Sequence, residues 1–308
     1  MKIVIPGGSG QVGQVLERYF RARGDEVVII ARSAREPDRK WDGRTLGDWT
    51  RHLDDADVVV NLAGRSVNCR YTRDNLSQML SSRVDSARIV GEAIARCERP
   101  PALWLQMSTA TIYAHAYGDA HDEDGELGGS EPEIPPYWRF SVDIARYWEQ
   151  EQALAHTPQT RKVALRTSLV MNPDPGSVFA VLSRMTQLGL GGAIAGGKQY
   201  VSWIHDADFV RAVQWIIDHE SIVGPVNLAA PNPLPQKEFQ QALRRAWRMP
   251  VGLPATAWMV RLAAQVIGSD EELLLKSRRV VSKVLPESGF RFDHPEWQDA
   301  ARDLVARM

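Results

Sequence analysis

Cysteine is nearly absent: the 308 residues hold two, Cys69 and Cys97, spaced too widely for a disulfide framework or a zinc-type ligand set. That usage fits a reducing compartment. With an opening segment, Met1-Lys2-Ile3-Val4-Ile5-Pro6, that has no signal-type apolar region, it predicts a cytoplasmic protein. An excess of charge of one sign is also missing. Thirty-seven Lys plus Arg stand against 38 Asp plus Glu, a net charge of -1, so no overall positive field favours nucleic acid or an anionic membrane surface. Long hydrophobic runs are missing as well. The nearest candidate, Val251 to Gly268, contains Arg261 and reads as a buried amphipathic helix, so no membrane span is predicted. What remains, 44% hydrophobic and 24% charged residues, is enough for a large core, in one large domain or two.

The chain opens on an apolar strand, Ile3 to Pro6, followed by Gly7-Gly8-Ser9-Gly10-Gln11-Val12-Gly13 and then Gln14 to Phe20, whose apolar residues recur at helical spacing. In this GxxGxxG the first glycine permits the tight turn, the second lets backbone N–H groups approach a pyrophosphate, and the third lets helix and strand pack closely. A second strand, Glu26 to Ala31, follows at βαβ distance, which favours dinucleotide binding over a plain glycine-rich turn. Where a carboxylate would hold the ribose diol of NAD, this chain has Arg32 and Ser33. A guanidinium and a hydroxyl suit a 2′-phosphate, so NADP(H) is expected and NAD(H) less so, the alternative being that Arg32 is a solvated loop arginine. Asp57 to Gly64 is another buried strand, and its last residues, Leu62, Ala63 and Gly64, are expected under the cofactor. A helix from about Thr72 to Arg96 and a strand from Ala102 to Ser108 continue the alternation, which predicts a doubly wound, Rossmann-type α/β sheet.

Gly7 to Gly13, Asn61-Leu62-Ala63-Gly64, Met107-Ser108-Thr109-Ala110-Thr111-Ile112-Tyr113 and Trp203-Ile204-His205-Asp206-Ala207-Asp208-Phe209 stand in the order used by extended short-chain dehydrogenase/reductases. More narrowly, the chain resembles the atypical branch of NAD-dependent epimerase/dehydratase, or nucleoside-diphosphate-sugar epimerase-like, proteins. Trp41-Asp42-Gly43, Ser82-Arg83-Val84, Trp148-Glu149, Lys276-Ser277-Arg278-Arg279-Val280 and Gly289-Phe290-Arg291-Phe292 carry that likeness, which includes a C-terminal domain of unknown function from about Leu234 to Met308. Ordinary members use a YxxxK pair, whose lysine lowers the tyrosine pKa for proton exchange. This chain has no YxxxK. Counting back from Trp148-Glu149 puts Ser141 and Ala145 at those places, and neither can do that work.

The resemblance implies that Ser108 lies against the cofactor and that Thr109 holds a substrate oxygen, unless it only caps a strand end. Tyr113 is the best remaining phenol for acid/base work, with packing beside the cofactor as the alternative. Arg83 faces the site or is a solvated helix arginine. Trp203 and His205 lie on the loop that closes over the cleft in relatives, where they would meet substrate, although a structural hydrogen bond is the commoner role for such a histidine. His115, His121, Asp122 and Glu123 match no ligand spacing, so no metal is expected. Arg244-Arg245-Ala246-Trp247-Arg248 and Lys276-Ser277-Arg278-Arg279 read as solvated faces, and Trp104, Trp215, Trp247 and Trp258 as packing.

The expected division is a nucleotide-binding part, residues 1–170 plus 206–229, and a smaller, mostly helical cap, residues 171–205 plus 230–308. The loop Gly118 to Pro136 is a candidate mobile lid. Two functions fit: hydride transfer on a hydroxyl or carbonyl small molecule, a sugar nucleotide included, or a non-catalytic NADP(H)-binding regulatory or interaction protein. A monomer or a homodimer suits either.

Overall fold

A computed structural model describes residues 1–132, 134–259 and 270–308. Its centre is a six-stranded sheet of β1 (Lys2–Pro6), β2 (Glu26–Ile30), β3 (Val58–Asn61), β4 (Leu103–Thr109), β5 (Arg161–Thr167) and β9 (Gly224–Leu228). The order is β2-β1-β3-β4-β5-β9 and every pairing is parallel. Short pairs complete the strands: β6 (Leu169–Met171) with β8 (Trp203–His205), and β7 (Tyr200–Val201) with β10 (Leu234–Pro235).

The strands are unbroken apolar runs because helices cover both faces, so each residue of the pleat finds a core. Ile3 and Ile5 of β1 face the layer built by α1 (Gln11–Ala22) and α5 (Asp206–Asp218). Val4, between them, faces the layer of α2 (Arg73–Ile94), α3 (Arg139–Leu154) and the buried Trp41, Trp49, Trp104 and Trp148. This is the doubly wound α/β arrangement. A third core joins α4 (Val178–Gln187), α6 (Gln236–Ala246) and α9 (Trp297–Ala306) around Phe179, Trp203, Phe239 and Trp297. Two short helices, α7 (Glu272–Leu275) and α8 (Val284–Glu287), precede α9.

Several expectations change. Trp203 lies on strand β8, fully buried with its ring 5.0 Å from that of Trp297, and not on a closing loop. Trp258, expected to pack, is 65% exposed. Of the buried helix expected from Val251 to Gly268, residues 260–268 lie outside the described residues, whereas 251–256 are not helical and Val251, Leu253 and Met259 are exposed. The loop 118–136 is fastened rather than free. Glu123 accepts from the Asn227 and Lys283 amides at 2.8 and 2.7 Å and from Ser282 Oγ at 2.9 Å, while His121 bridges to Val280. A half-buried carboxylate held by three donors is a stable latch, not a lid.

Candidate active site

The strand order reverses at β1, so the crevice beyond the carboxyl ends of β1 and β3 is where an open α/β sheet binds ligands. Gly7 adopts φ +76°, and a Cβ there would sit 2.5 Å from Ala63 Cα. A Cβ on Gly13 would lie 2.1 Å from the Gly8 carbonyl oxygen. These two glycines let turn, strand and helix touch. At Gly10, by contrast, a Cβ would meet nothing within 4 Å, and as N-cap of α1 it supplies no side-chain acceptor. The first turn of α1 has no acidic residue. Its leading amides are therefore left for an anion. Gln11, the first residue of α1, donates through Nε2 to the Pro175 carbonyl at 2.9 Å. Ser9 and, on α1 itself, Val12 flank this cradle, and Leu62 and Ala63, packed against Gly7, form its opposite wall. That wall is braced from below: Asn61 Oδ1 accepts from the Ala63 amide at 3.1 Å, and Asn61 Nδ2 donates to Gln106 at 3.0 Å. The donor set and the open space fit a dinucleotide.

At the end of β4, Thr109 is half-buried and caps the following turn, its Oγ1 accepting from the Thr111 amide at 3.2 Å. Ser108 points the other way, as strand alternation requires, and donates to Glu149 Oε1 at 2.5 Å. Its hydroxyl is committed to α3 and not to the cradle. Glu149 holds Arg166 through two bonds of 2.9 Å, and Arg166 Nη1 donates to Tyr113 Oη, also at 2.9 Å. Tyr113 in turn donates to Asn227 Oδ1 at 2.8 Å. With a side chain 1% exposed and both phenol roles filled, Tyr113 is a packed element of this network and is replaced as the candidate acid/base. Burial raises its phenol pKa, against the neighbouring Arg166. His205, also fully buried, accepts from the Ala207 amide through Nδ1 at 3.1 Å and faces Asp303 through Nε2 at 3.0 Å. It caps α5 and ties it to α9, which removes Trp203 and His205 together from the substrate wall. Among the described residues, His205, His294 and Asp303 bring ligand-type atoms within 4.8 Å of one another, yet the cap and ion pair already use His205 and Asp303, and the His294 ring stacks on His205 at 3.8 Å.

Arg83 does face the crevice. Its guanidinium lies 3.1 Å from where a Gly64 Cβ would be and 5.1 Å from the centre of the Trp148 ring, and it donates to the Met79 carbonyl at 3.0 Å. No carboxylate holds it among the described residues, and burial pushes its pKa down to about 10.

A polar cluster that sequence reading passed over closes this end of the sheet. Lys276, expected on a solvated face, is 2% exposed and donates to the Thr111 carbonyl at 2.9 Å. Arg278 Nε donates to Thr111 Oγ1 at 3.1 Å. Glu272, 1% exposed, accepts from Ser141 Oγ at 2.6 Å and lies 4.0 Å from Lys276 Nζ. The amphipathic period placed these charges outward, whereas α7 and the stretch after it turn them onto Thr111, just past β4, and Ser141 of α3. Burial and the nearby Arg278 lower Lys276 to about 8, while burial raises the Glu272 carboxyl. Because the folded lysine releases its proton below the 10.5 of the unfolded chain, the unfolded state binds more protons between those values, so this contribution to stability rises with pH. Relative to Lys276→Met, the unsubstituted protein is expected to gain up to about 3 kcal/mol between pH 8 and 10.5, read as a difference in denaturation midpoints. A constant difference would reject the buried-lysine account.

The profile of the NAD dependent epimerase/dehydratase family matches residues 3–229, and that of a domain of unknown function, DUF1731, matches residues 255–304. The chain belongs to the NAD dependent epimerase/dehydratase family. It is 30% identical to the epimerase family protein SDR39U1 of Bos taurus, over 99% of this chain and 100% of that protein. Against the epimerase family protein YfhF of Bacillus subtilis the identity is 28%, over 99% and 98%. Among solved structures, human SDR39U1 isoform 2 with NADPH superposes with TM-score 0.85 at 23% identity, each chain covered completely. A nucleoside-diphosphate sugar epimerase from Corynebacterium glutamicum gives 0.77 at 24%, covering 99% of this chain and 58% of the other. Likeness at that identity speaks for the fold. Among the described residues, no helix is long and apolar enough to cross a membrane.

Proposed function

We propose that the protein binds NADP(H) through Gly7 to Gly13 and uses it for hydride transfer on a small hydroxyl or carbonyl substrate, a sugar nucleotide being one such class. The observation that carries the cofactor choice is Arg32, exposed just past β2 with no hydrogen-bond or ion-pair partner among the described residues. A free guanidinium beside Ser33, at the position where an acid would select NAD, is suited to a 2′-phosphate. The NADPH named with human SDR39U1 supports the same choice. In this reading the open amides of α1 take the pyrophosphate, Leu62 to Gly64 lie beneath the dinucleotide, Thr109 meets the substrate oxygen, and Arg83 meets an anionic part of the substrate. Residues 1–170 with 206–229 would form the nucleotide-binding part and 171–205 with 230–308 the cap, in a monomer or homodimer.

Fluorescence titration tests the cofactor. NADPH is expected to bind more tightly than NADH, and Arg32→Ala to weaken NADPH about tenfold or more while leaving NADH unchanged, as loss of a charge-assisted bond requires. Equal affinities, or an Arg32→Ala variant that binds NADPH normally, would reject NADP(H) selectivity.

A further inference from the structure

Each polar atom of Thr111 has a partner, and two of those partners come from the far end of the chain. Lys276 Nζ donates to its carbonyl at 2.9 Å and Arg278 Nε to its Oγ1 at 3.1 Å. Its amide donates to Thr109 Oγ1 at 3.2 Å, and the two threonine hydroxyl oxygens are also 3.2 Å apart. The stretch that supplies the cations is docked along its length. Ser277 Oγ donates to the Ala116 carbonyl at 2.6 Å, and the His121 and Val281 amides donate to the Arg279 and His121 carbonyls at 2.8 and 2.9 Å. Lys276 and Arg278 lie in the region matched by the domain of unknown function.

The partners decide where the hydroxyl protons point. A guanidinium only donates, so Arg278 fills a lone pair of Thr111 Oγ1. Among the described residues the other partner of that oxygen is Thr109 Oγ1, so the Thr111 proton finds an acceptor only by pointing there. A hydroxyl that accepts from a cation is also the stronger donor. Thr109 Oγ1 then accepts twice, from the amide and the hydroxyl of Thr111, and its own proton is left for the crevice at the carboxyl end of β4.

Resting on the hydride-transfer reading above, we propose that Arg278, acting through Thr111, is a positioning residue that fixes Thr109 as a hydrogen-bond donor, and that the substrate is a carbonyl compound. A carbonyl oxygen only accepts, so it matches a hydroxyl whose own acceptor positions are both filled. When bound, NADPH supplies the hydride to the carbonyl carbon. The π pair moves onto the oxygen, which Thr109 holds as charge builds, and water then protonates the alkoxide to the alcohol. A donor fixed in advance favours this step because nothing has to reorient while the charge develops. Arg278 and Thr111 do not touch the substrate. Lys276, by holding the Thr111 carbonyl, keeps the turn after β4 in place. The C-terminal region of unknown function thereby has a task, to orient a donor at the end of β4.

The test uses 4-nitrobenzaldehyde as carbonyl probe and two readouts. In the complex of the protein with NADP⁺ and probe, which cannot react, the infrared C=O stretch is expected to fall below its value in water-free solvent, and Thr109→Val should abolish that fall. Thr111→Val, which removes only the linking hydroxyl, should lose most of the downshift at unchanged NADP⁺ affinity. With NADPH it should slow single-turnover reduction about tenfold or more, the scale of a misoriented group. Thr111→Ser, which keeps the hydroxyl, should restore both shift and rate. Arg278→Met should match Thr111→Val, and the double variant should be no slower than either single one, because the two act as a chain. A Thr111→Val protein that keeps shift and rate, or a Thr111→Ser protein that does not recover them, overturns the orienting role while leaving the hydride-transfer reading intact. An unsubstituted complex with no downshift, or a Thr109→Val protein that keeps it, overturns Thr109 as the donor while nucleotide binding stands. Failure of the unsubstituted protein to bind either nucleotide overturns the hydride-transfer reading and this assignment together.

Discussion

Arg166→Met is expected to destabilise the fold by about 3–5 kcal/mol, the effect of removing one partner of a buried ion pair. Arg166 and Glu149 side chains are 8% and 16% exposed, so the carboxylate left behind cannot recover its hydration. The loss spreads because Arg166 is the hub. Glu149 would keep only the Ser108 hydroxyl, and Tyr113 would keep only Asn227, so β4, α3, β5 and β9 would lose their shared polar joint. At 2–4 °C per kcal/mol for a large domain, the melting temperature should fall on the order of 10 °C. The double variant Arg166→Met/Glu149→Leu should recover much of this, because it leaves no uncompensated charge. A single variant that melts within about 2 °C of the unsubstituted protein would show that the joint is not under the low-dielectric conditions argued here.

Gly13→Ala and Gly10→Ala are expected to separate folding from ligand binding within one loop. A methyl at Gly13 must displace the Gly8 carbonyl, 2.1 Å away, so α1 has to lift from β1. Overpacking of this kind costs about 1–3 kcal/mol, and it moves the amides that face the cradle, so NADPH affinity and melting temperature should fall together. At Gly10 the backbone φ is -82°, which alanine accepts, and the added methyl meets no protein atom within 4 Å. Gly10→Ala should therefore melt normally and bind NADPH at least tenfold more weakly, since its methyl enters the space meant for the pyrophosphate. Normal nucleotide affinity in Gly10→Ala would mean that this space is not the cofactor's.

The central sheet was legible because its signals are local: apolar runs for strands buried on both faces, and glycines at the turn where helix and strand must touch. The place of Arg32, exposed just past β2, was legible for the same reason, since it depends only on distance along the chain. The polar cluster past the end of β4 was not. Thr111, Ser141, Glu272, Lys276 and Arg278 come from segments far apart in the chain, and each alone looks like an ordinary surface residue. Lys276-Ser277-Arg278-Arg279 read as a solvated stretch because charge usually means exposure, and only its docking against the segment Thr111 to Ala116 after β4 buries it. Tyr113, Trp203 and His205 misled in the opposite sense. Motif order placed them near a cleft, whereas strand alternation and helix capping put their polar atoms inside the structure. Trp148-Glu149 did carry a signal for the missed network, because Glu149 is the acid that binds Arg166.

The most direct measurement of the central claim is hydride transfer itself. NADPH deuterated at C4 of the nicotinamide would be incubated with the protein and 4-nitrobenzaldehyde, and the alcohol analysed by mass spectrometry. Catalysis by this site predicts one deuterium on the carbinol carbon, formed faster than in the protein-free control and slowed by Gly10→Ala at limiting NADPH. Tight NADPH binding with no deuterated alcohol above the control, for this probe and for a panel of aldehydes, ketones and sugar nucleotides, would contradict it and favour a protein that binds NADP(H) without turnover.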